Sequence, residues 1–156
     1  ACEVGIESTI VDCTRGAPVL LRPGQITRVQ IEQVCGQPLQ DPAAIAAPAP
    51  KASGTLASHY APRAKVRLMD AATLAQRLQA LGPHANNLGL WSRQPPEGGA
   101  GVLWRQQAAE ARTAAHDVFA VLRDLDARGV QQIWVELPPD TPEWEGVRDR
   151  LQRAAA

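Results

Sequence analysis

The chain has 156 residues, of which 45% are hydrophobic, 21% charged and 4% aromatic, and its formal net charge is +0 at pH 7. This length allows one ordinary domain or a smaller domain with an appendage, the apolar content excludes wholesale disorder, and no run of ~18 apolar residues could span a membrane. Residues 1–69 hold seven basic and five acidic residues (+2), and residues 70–156 hold nine basic and eleven acidic residues (−2). Neither part is strongly basic, which disfavours strong direct binding of nucleic acid.

The first 36 residues predict a β-hairpin followed by a short helix. The runs VGIESTIVD (4–12) and APVLLR (17–22) are rich in β-branched and apolar residues and are joined by CTRG, which favours two antiparallel strands. Thr27 can cap a helix that ends at Gly36. Because a two-stranded hairpin is marginal in water, these strands are expected to pair with further structure.

The remainder of the chain predicts a spacer and then an α/β fold. Residues 37 to about 58 hold four prolines among alanines, which is typical of a semi-rigid spacer. Strands are predicted over 64–70, 87–92, 101–105 and 130–137, with helices after Asp70, over about 107–128 and from Thr141 onwards. This alternation predicts a small, mainly parallel sheet with helices on both faces, of Rossmann-like type.

The three cysteines, Cys2, Cys13 and Cys35, are odd in number and far apart. A disulfide framework needs an even, denser set and a zinc site needs a close pair, so we expect free thiols and no metal site. No secretory segment opens the chain, so a cytoplasmic location is expected. Because the chain starts at Ala1 directly in strand-like sequence, we expect it to be a piece of a longer protein.

Few residues of the α/β region suggest chemistry. The glycines of GGAG (98–101) lead into a strand rather than a helix, which favours a plain turn over a phosphate loop. Ligands of open parallel sheets bind at the carboxyl ends of the strands, here near Ser92 and Arg93 and near Glu136 and Leu137. Most of the tryptophans are expected in the core, with base stacking as the alternative: Trp91, Trp104, Trp134 and Trp144.

The first sixty residues carry more polar chemistry. Glu7, Ser8 and Thr9 are predicted inside an otherwise apolar strand, where polar groups need a polar ligand or a polar wall. Arg22 ends the next strand just before a Pro-Gly turn, a position suited to gripping a phosphate or a carboxylate, or alternatively to a surface ion pair. The stretch SGTLASHYAP (53–62) places a glycine, three hydroxyls, a histidine and the only tyrosine inside the predicted spacer.

Taken in order, GIESTIVD, PVLLRPGQI and SGTLASHYAP resemble the two-domain threonylcarbamoyl-AMP synthases, in which a linker joins a YrdC-like catalytic domain to a small C-terminal α/β domain. VFAVLRDLDARGVQQIWVE and VRDRLQRAAA resemble that C-terminal domain. The resemblance implies that residues 1–36 end the catalytic domain, 37–63 form a linker and lid, and 64–156 form the C-terminal domain.

The resemblance also implies an activity. The parent enzyme, a nucleotidyltransferase, would combine L-threonine, bicarbonate and ATP, with Mg²⁺, into threonylcarbamoyl-AMP and pyrophosphate, for tRNA threonylcarbamoyladenosine modification together with partner proteins. Ser8 would contact L-threonine, Arg22 and Tyr60 would contact ATP, and the lid would include Ser53, Gly54 and His59. Residues 56–58 (Leu, Ala, Ser) depart from the Lys, Tyr and Arg of a common family form, so electrostatic help from those positions is missing.

No catalytic residue is assigned to this chain, because the resemblance places most of the catalytic sheet upstream of Ala1. The chain alone is therefore expected to be inactive. Two alternatives stay open: an α/β regulatory or partner-binding module without its own catalysis, and an unrelated α/β interaction domain.

Overall fold

The computed structural model describes residues 5–6, 8–44, 62–82, 85–97 and 101–156. These residues form a hairpin, a four-stranded sheet, four helices and two short 3₁₀ turns at Pro42–Ala44 and Pro142–Trp144. None of the described helices has the length and apolar character that a membrane crossing requires. In chain order the strands and helices are β1 (Ile10–Asp12), β2 (Val19–Arg22), α1 (Arg28–Cys35), β3 (Lys65–Met69), α2 (Ala71–Leu81), β4 (Leu88–Ser92), β5 (Leu103–Gln106), α3 (Ala111–Ala127), β6 (Gln132–Glu136) and α4 (Glu145–Ala155).

The four-stranded sheet is parallel throughout, with the strand order β3-β6-β4-β5. Side chains alternate between its faces, so Ile133 and Val135 of β6 lie in the core under α3 and α4, while Trp134 lies in the core under α2. Each face is thus covered by helices, and the predicted α/β fold class is confirmed. The predicted core role of most tryptophans is also confirmed, because Trp91, Trp134 and Trp144 are buried.

Local signals mark both ends of α1 and the start of α2 as predicted, whereas the last helix begins at Glu145, after a 3₁₀ turn, and not at Thr141. The Thr27 side chain accepts a hydrogen bond from the Gln30 backbone N–H, and the Gln30 side-chain Oε1 accepts one from the Thr27 backbone N–H at 2.9 Å, which is a capping box. The helix stops at Gly36, whose φ of 69° is in the left-handed region. Asp70 caps α2 by accepting from the Thr73 backbone N–H at 2.8 Å. Cys13 and Cys35, the cysteines within the described ranges, are free thiols, as predicted.

Helix α3 begins at Ala111 and not near residue 107 as predicted. The reason is that Gln107 is buried, with 2% exposure, and its Nε2 donates to the Glu136 carbonyl at 3.0 Å. The Gln107 backbone N–H also donates to the Ser92 carbonyl at 2.8 Å, which continues the ladder beyond β5. Buried polar groups need such partners, so residues 107–110 stay outside the helix.

The first strand is shorter than predicted, because Ser8 and Thr9 lie outside β1. The hairpin register shifts between Ile10 and Val11. Before that point the Thr9 hydroxyl donates to the Ile26 carbonyl at 2.8 Å, across from the turn that follows β2. The backbone at residues 8 and 9 therefore contacts this turn instead of extending the strand. Glu7, the third polar residue predicted in the strand, lies outside the described residues.

The hairpin region packs on the α/β region. Ile6 is 4% exposed and shares the core of α3 and α4 with Trp144 and Val147. A residue of the predicted spacer also packs against the hairpin, since Gln40 bridges to Val19 and its carbonyl accepts from the Leu20 N–H at 2.9 Å. The predicted boundaries at 36 and 63 remain predictions, and residues 45–61 of the predicted linker lie outside the described residues.

The Asp126 side chain, near the end of α3, binds the two residues that precede β3. Its Oδ1 accepts from the Ala64 backbone N–H at 2.9 Å, and its Oδ2 accepts from the Arg63 guanidinium at 3.2 Å. The hydrogen bond from Ala64 is the main reason that the pKa of Asp126 lies below its ordinary value, and Arg63 adds to it. This stabilisation is therefore fully present above the unfolded-state pKa of about 3.9 and is lost as pH falls through the folded-state pKa.

Asp126→Asn is expected to lower the free energy of unfolding at pH 7 by about 1 kcal/mol, because the charged acceptor is lost. The loss of stability on acidification from about pH 5 to 3 should also become shallower than in the wild type. Urea unfolding at a series of pH values measures both effects. The control is Asp117→Asn on the more exposed part of the same helix, with an expected change below about 0.5 kcal/mol at pH 7. The prediction would be contradicted if the free energy of unfolding fell equally steeply between about pH 5 and 3 in the wild type and in Asp126→Asn.

Candidate functional site at the end of the hairpin

Two of the predicted site residues are neighbours at the end of the hairpin. Arg22 is the last residue of β2, and its Nε donates to the Ser8 backbone carbonyl at 3.2 Å. Ser8 is exposed and Arg22 is half-buried. The structure thus places the Arg22 guanidinium against the backbone of Ser8, a residue that also carries an exposed hydroxyl side chain. The hydroxyl can receive a carboxylate and the guanidinium a phosphate.

The turn after Arg22 requires glycine at position 24. A Cβ added to Gly24 would lie 2.4 Å from both the Ser8 carbonyl carbon and the Thr9 nitrogen, which are backbone atoms. Only a residue without a side chain allows this approach. Close packing of residues 8, 9 and 24 therefore sets the position of Arg22 relative to Ser8.

Helix α4 contributes two further arginines to this region. Arg150 Nη2 donates to the Pro23 carbonyl at 3.3 Å, and its Nη1 pairs with the Asp149 carboxylate. Arg153 pairs with the same carboxylate, with Nη2 to Oδ1 at 2.8 Å. The pKa of Arg150 is lowered, first by burial and then by the like charges of Arg22 and Arg153, although Asp149 acts in the opposite direction. Arg22 and Arg150 are therefore close enough to interact electrostatically.

An ion network links α1, the start of the predicted linker and α4. The Arg28 guanidinium pairs with Asp41 and with Glu145, the latter at 3.0 Å, and Nη1 donates to the Leu39 carbonyl at 2.8 Å. Burial acts to lower the pKa of Arg28, but the hydrogen bonds with Glu145 and Asp41 outweigh it and the pKa is raised. The charged form of Arg28 therefore holds together segments that are up to 117 residues apart.

A second candidate site is a pocket of ≈ 200 Å³ at the carboxyl ends of β4 and β6, under α2. Its wall is mostly apolar, with Leu74, Leu78 and Leu90, and it includes Ser92 and Glu136. The Glu136 carboxylate accepts from the Arg93 backbone N–H at 2.8 Å and pairs with the Arg93 guanidinium. The strand-end position predicted from the sequence therefore borders a pocket, although the Glu136 carboxylate is already paired with Arg93 and the Ser92 hydroxyl donates to the Gln94 carbonyl at 2.7 Å.

The predicted lid lies outside the described residues, which applies to Ser53, Gly54, His59 and Tyr60. Within the described ranges, no group of three or more His, Cys, Asp or Glu side chains could hold a metal ion. Sequence reasoning missed Arg28 and Arg150. The arginine-rich run VRDRLQR is a visible signal, but contact between Arg150 and Pro23, 127 residues apart, requires the tertiary structure.

Residues 26–156 match the sequence profile of the threonylcarbamoyl-AMP synthase C-terminal domain. The chain belongs to this family. The predicted resemblance is confirmed by this match. The alignments with individual relatives cover 97% or more of the chain and so include the hairpin, which precedes residue 26. A threonylcarbamoyl-AMP synthase of Bacillus subtilis (strain 168) is 29% identical over 159 residues, covering 97% of this chain and 46% of the relative. A synthase of Pyrococcus abyssi (strain GE5 / Orsay) is 29% identical over 163 residues, with the same two coverages.

A Schizosaccharomyces pombe synthase is 27% identical over 177 residues, covering 100% of this chain and 43% of the relative. Among solved structures, P. abyssi Sua5 complexed with L-threonine superposes with a TM-score of 0.80 at 26% identity, over 98% of this chain and 46% of that one. A P. abyssi Sua5 variant gives 0.81 at 24% identity, with the same coverages, which supports the fold. The chain therefore spans about half the length of the relatives that it matches.

Proposed function

We propose that this chain is the C-terminal part of an L-threonylcarbamoyladenylate synthase acting in tRNA threonylcarbamoyladenosine modification. The observation that carries the proposal is the contact between Arg22 and Ser8 at the end of the hairpin, in a chain of this family. The L-threonine bound to P. abyssi Sua5 supports threonine as one substrate. The other substrates would be bicarbonate and ATP.

In the proposed reaction the threonine nitrogen and bicarbonate form a carbamate with loss of water. A carbamate oxygen then bonds to the α-phosphorus of ATP, while the bond from that phosphorus to pyrophosphate breaks. The Ser8 hydroxyl can donate to the threonine carboxylate, and the Arg22 guanidinium can offset the phosphate charge that develops. Because Arg22 Nε is 3.2 Å from the Ser8 carbonyl, the two substrates would be held next to each other.

Tyr60, with Ser53, Gly54 and His59, would form a lid over ATP that excludes water from the hydrolysable adenylate. Anchors on both sides of this segment support the idea. On one side Asp41 pairs with Arg28 and Gln40 bridges to β2, and on the other the Ala64 N–H binds Asp126.

The Mg²⁺ that accompanies ATP would be held mainly by the phosphates and by residues of the parent enzyme outside this chain. Partner proteins of tRNA modification would receive the adenylate.

The proposal is tested by measuring threonylcarbamoyl-AMP and pyrophosphate formed from L-threonine, bicarbonate and ATP. The full-length protein that carries this chain is expected to form both products, and the 156-residue chain to form neither. Tyr60→Ala in the full-length protein should increase hydrolysis of the adenylate relative to its accumulation. Absence of product with the full-length wild type would contradict the proposed function, and turnover by the chain alone would contradict the division of roles.

The pocket at the ends of β4 and β6 favours a second candidate, a regulatory module that binds a small ligand. Titration of the chain with ATP and with L-threonine separates the two. Binding that survives replacement of both Arg22 and Tyr60 by Ala would indicate the pocket, whereas binding that is lost would indicate the hairpin and lid.

A further inference from the structure

We propose that Arg150 of α4 is a positioning residue for Arg22, through which the C-terminal α/β region raises the affinity of the parent enzyme for the phosphates of ATP. This inference rests on the proposed function and deepens it. It assigns a role in nucleotide binding to a side chain that lies 128 positions beyond Arg22 in the sequence.

The first step is geometric. Arg150 Nη2 donates to the carbonyl of Pro23, the residue directly after Arg22, at 3.3 Å. The guanidinium is itself held by the Asp149 carboxylate, and the Arg150 side chain is only 11% exposed. A planar, partly enclosed guanidinium with two fixed partners restricts the turn at residues 23 and 24. That turn positions Arg22 against Ser8.

The second step is electrostatic. Arg150 and Arg153 share one carboxylate, because Arg153 also pairs with Asp149 at 2.8 Å. Two positive charges and one negative charge leave one net positive charge beside Arg22. Arg150 Nη2 binds the carbonyl of the residue next to Arg22, and the Arg22 charge contributes to the lowered pKa of Arg150, in agreement with a short separation of the two guanidinium groups. An anion bound at Arg22 would therefore experience the field of α4 as well.

A purely structural anchor predicts a different outcome from a positioning residue. Loss of an anchor would lower stability and affect every kinetic parameter alike. Loss of a positioning residue at a phosphate site should act on ATP and spare L-threonine, and a lysine should restore part of the effect because it keeps the charge. The KM values for the two substrates, together with the lysine variant, therefore distinguish the two roles.

The experiment compares the full-length wild type with Arg150→Gln, Arg150→Lys and the control Arg123→Gln, an exposed arginine of α3. Arg150→Gln is expected to raise the KM for ATP about tenfold, with the KM for L-threonine within about twofold of the wild type. Arg150→Lys should raise the KM for ATP about threefold, and Arg123→Gln should leave it unchanged.

An unchanged KM for ATP in a folded Arg150→Gln protein would overturn the inference, as would equal losses for both substrates without rescue by lysine. If Arg150→Gln does not fold, Arg150→Lys decides: a selective rise in the KM for ATP supports the inference, and no rise overturns it. Failure of the proposed function would look different, because the wild type itself would then form no adenylate.

Discussion

Gly24→Ala is expected to lower the free energy of unfolding of the chain by about 3 kcal/mol. The added methyl group would lie 2.4 Å from the Ser8 carbonyl carbon and from the Thr9 nitrogen. Both are backbone atoms, so no rotamer change can relieve the overlap. The segment of residues 8 and 9 before β1 must move away from the turn, which would separate Ser8 from Arg22. Urea unfolding measures the stability, and adenylate formation by the full-length variant measures the effect on the site.

The matched control is Gly16→Ala in the hairpin turn. Gly16 has a φ of 81°, and a Cβ there would have nothing within 4 Å. It should therefore cost about 1 kcal/mol from backbone strain alone and leave adenylate formation nearly unchanged. Equal costs for the two variants would show that the backbone contact at Gly24 is not a constraint.

Arg22→Ala is expected to reduce kcat/KM for adenylate formation by the full-length protein by about 100- to 1,000-fold. The guanidinium would no longer offset the phosphate charge that develops when the α-phosphorus transfers. Its backbone remains in β2, so the hairpin should persist, and circular dichroism can check this. Initial rates of pyrophosphate release at varied ATP give the measurement.

The control for this variant is Arg15→Ala at the opposite end of the hairpin. Arg15 pairs with Asp12 at 2.8 Å, so its loss removes an arginine and an ion pair while the turn after β2 is untouched. We expect kcat/KM to stay within about threefold of the wild type. Wild-type activity in Arg22→Ala would contradict the role of Arg22 as a nucleotide ligand.

Much of the fold could be predicted from short-range patterns. The caps at Thr27 and Asp70 and the stop at Gly36 depend on hydrogen bonds within a few residues, so the sequence specifies them directly. Strands and helices alternate in the order expected for a parallel sheet. The errors fell where a distant partner intervened: the Glu136 carbonyl keeps Gln107 out of α3, and the Ile26 carbonyl holds Thr9 outside β1.

The residue types of the candidate site could be predicted from the sequence, but their spatial arrangement could not. Ser8 was visible as a polar residue inside a predicted apolar strand and Arg22 as a charged residue at the end of the next one, and the family resemblance suggested their roles. Their contact depends on the close approach of Gly24, and Arg150 enters through a hydrogen bond that spans 127 residues. Tyr60 and the rest of the lid stay predictions.

The amino-acid sequence by itself determined the element types, their caps, the parallel α/β class and the family, because each depends on local periodicity or on a short motif. Only the tertiary structure decided how the hairpin, α1 and α4 meet, with Ile6 in the α/β core and Arg28 and Arg150 bridging to distant segments. The physical reason is that such contacts join residues that are far apart along the chain. Their energies depend on burial and on fixed geometry, which no local pattern encodes.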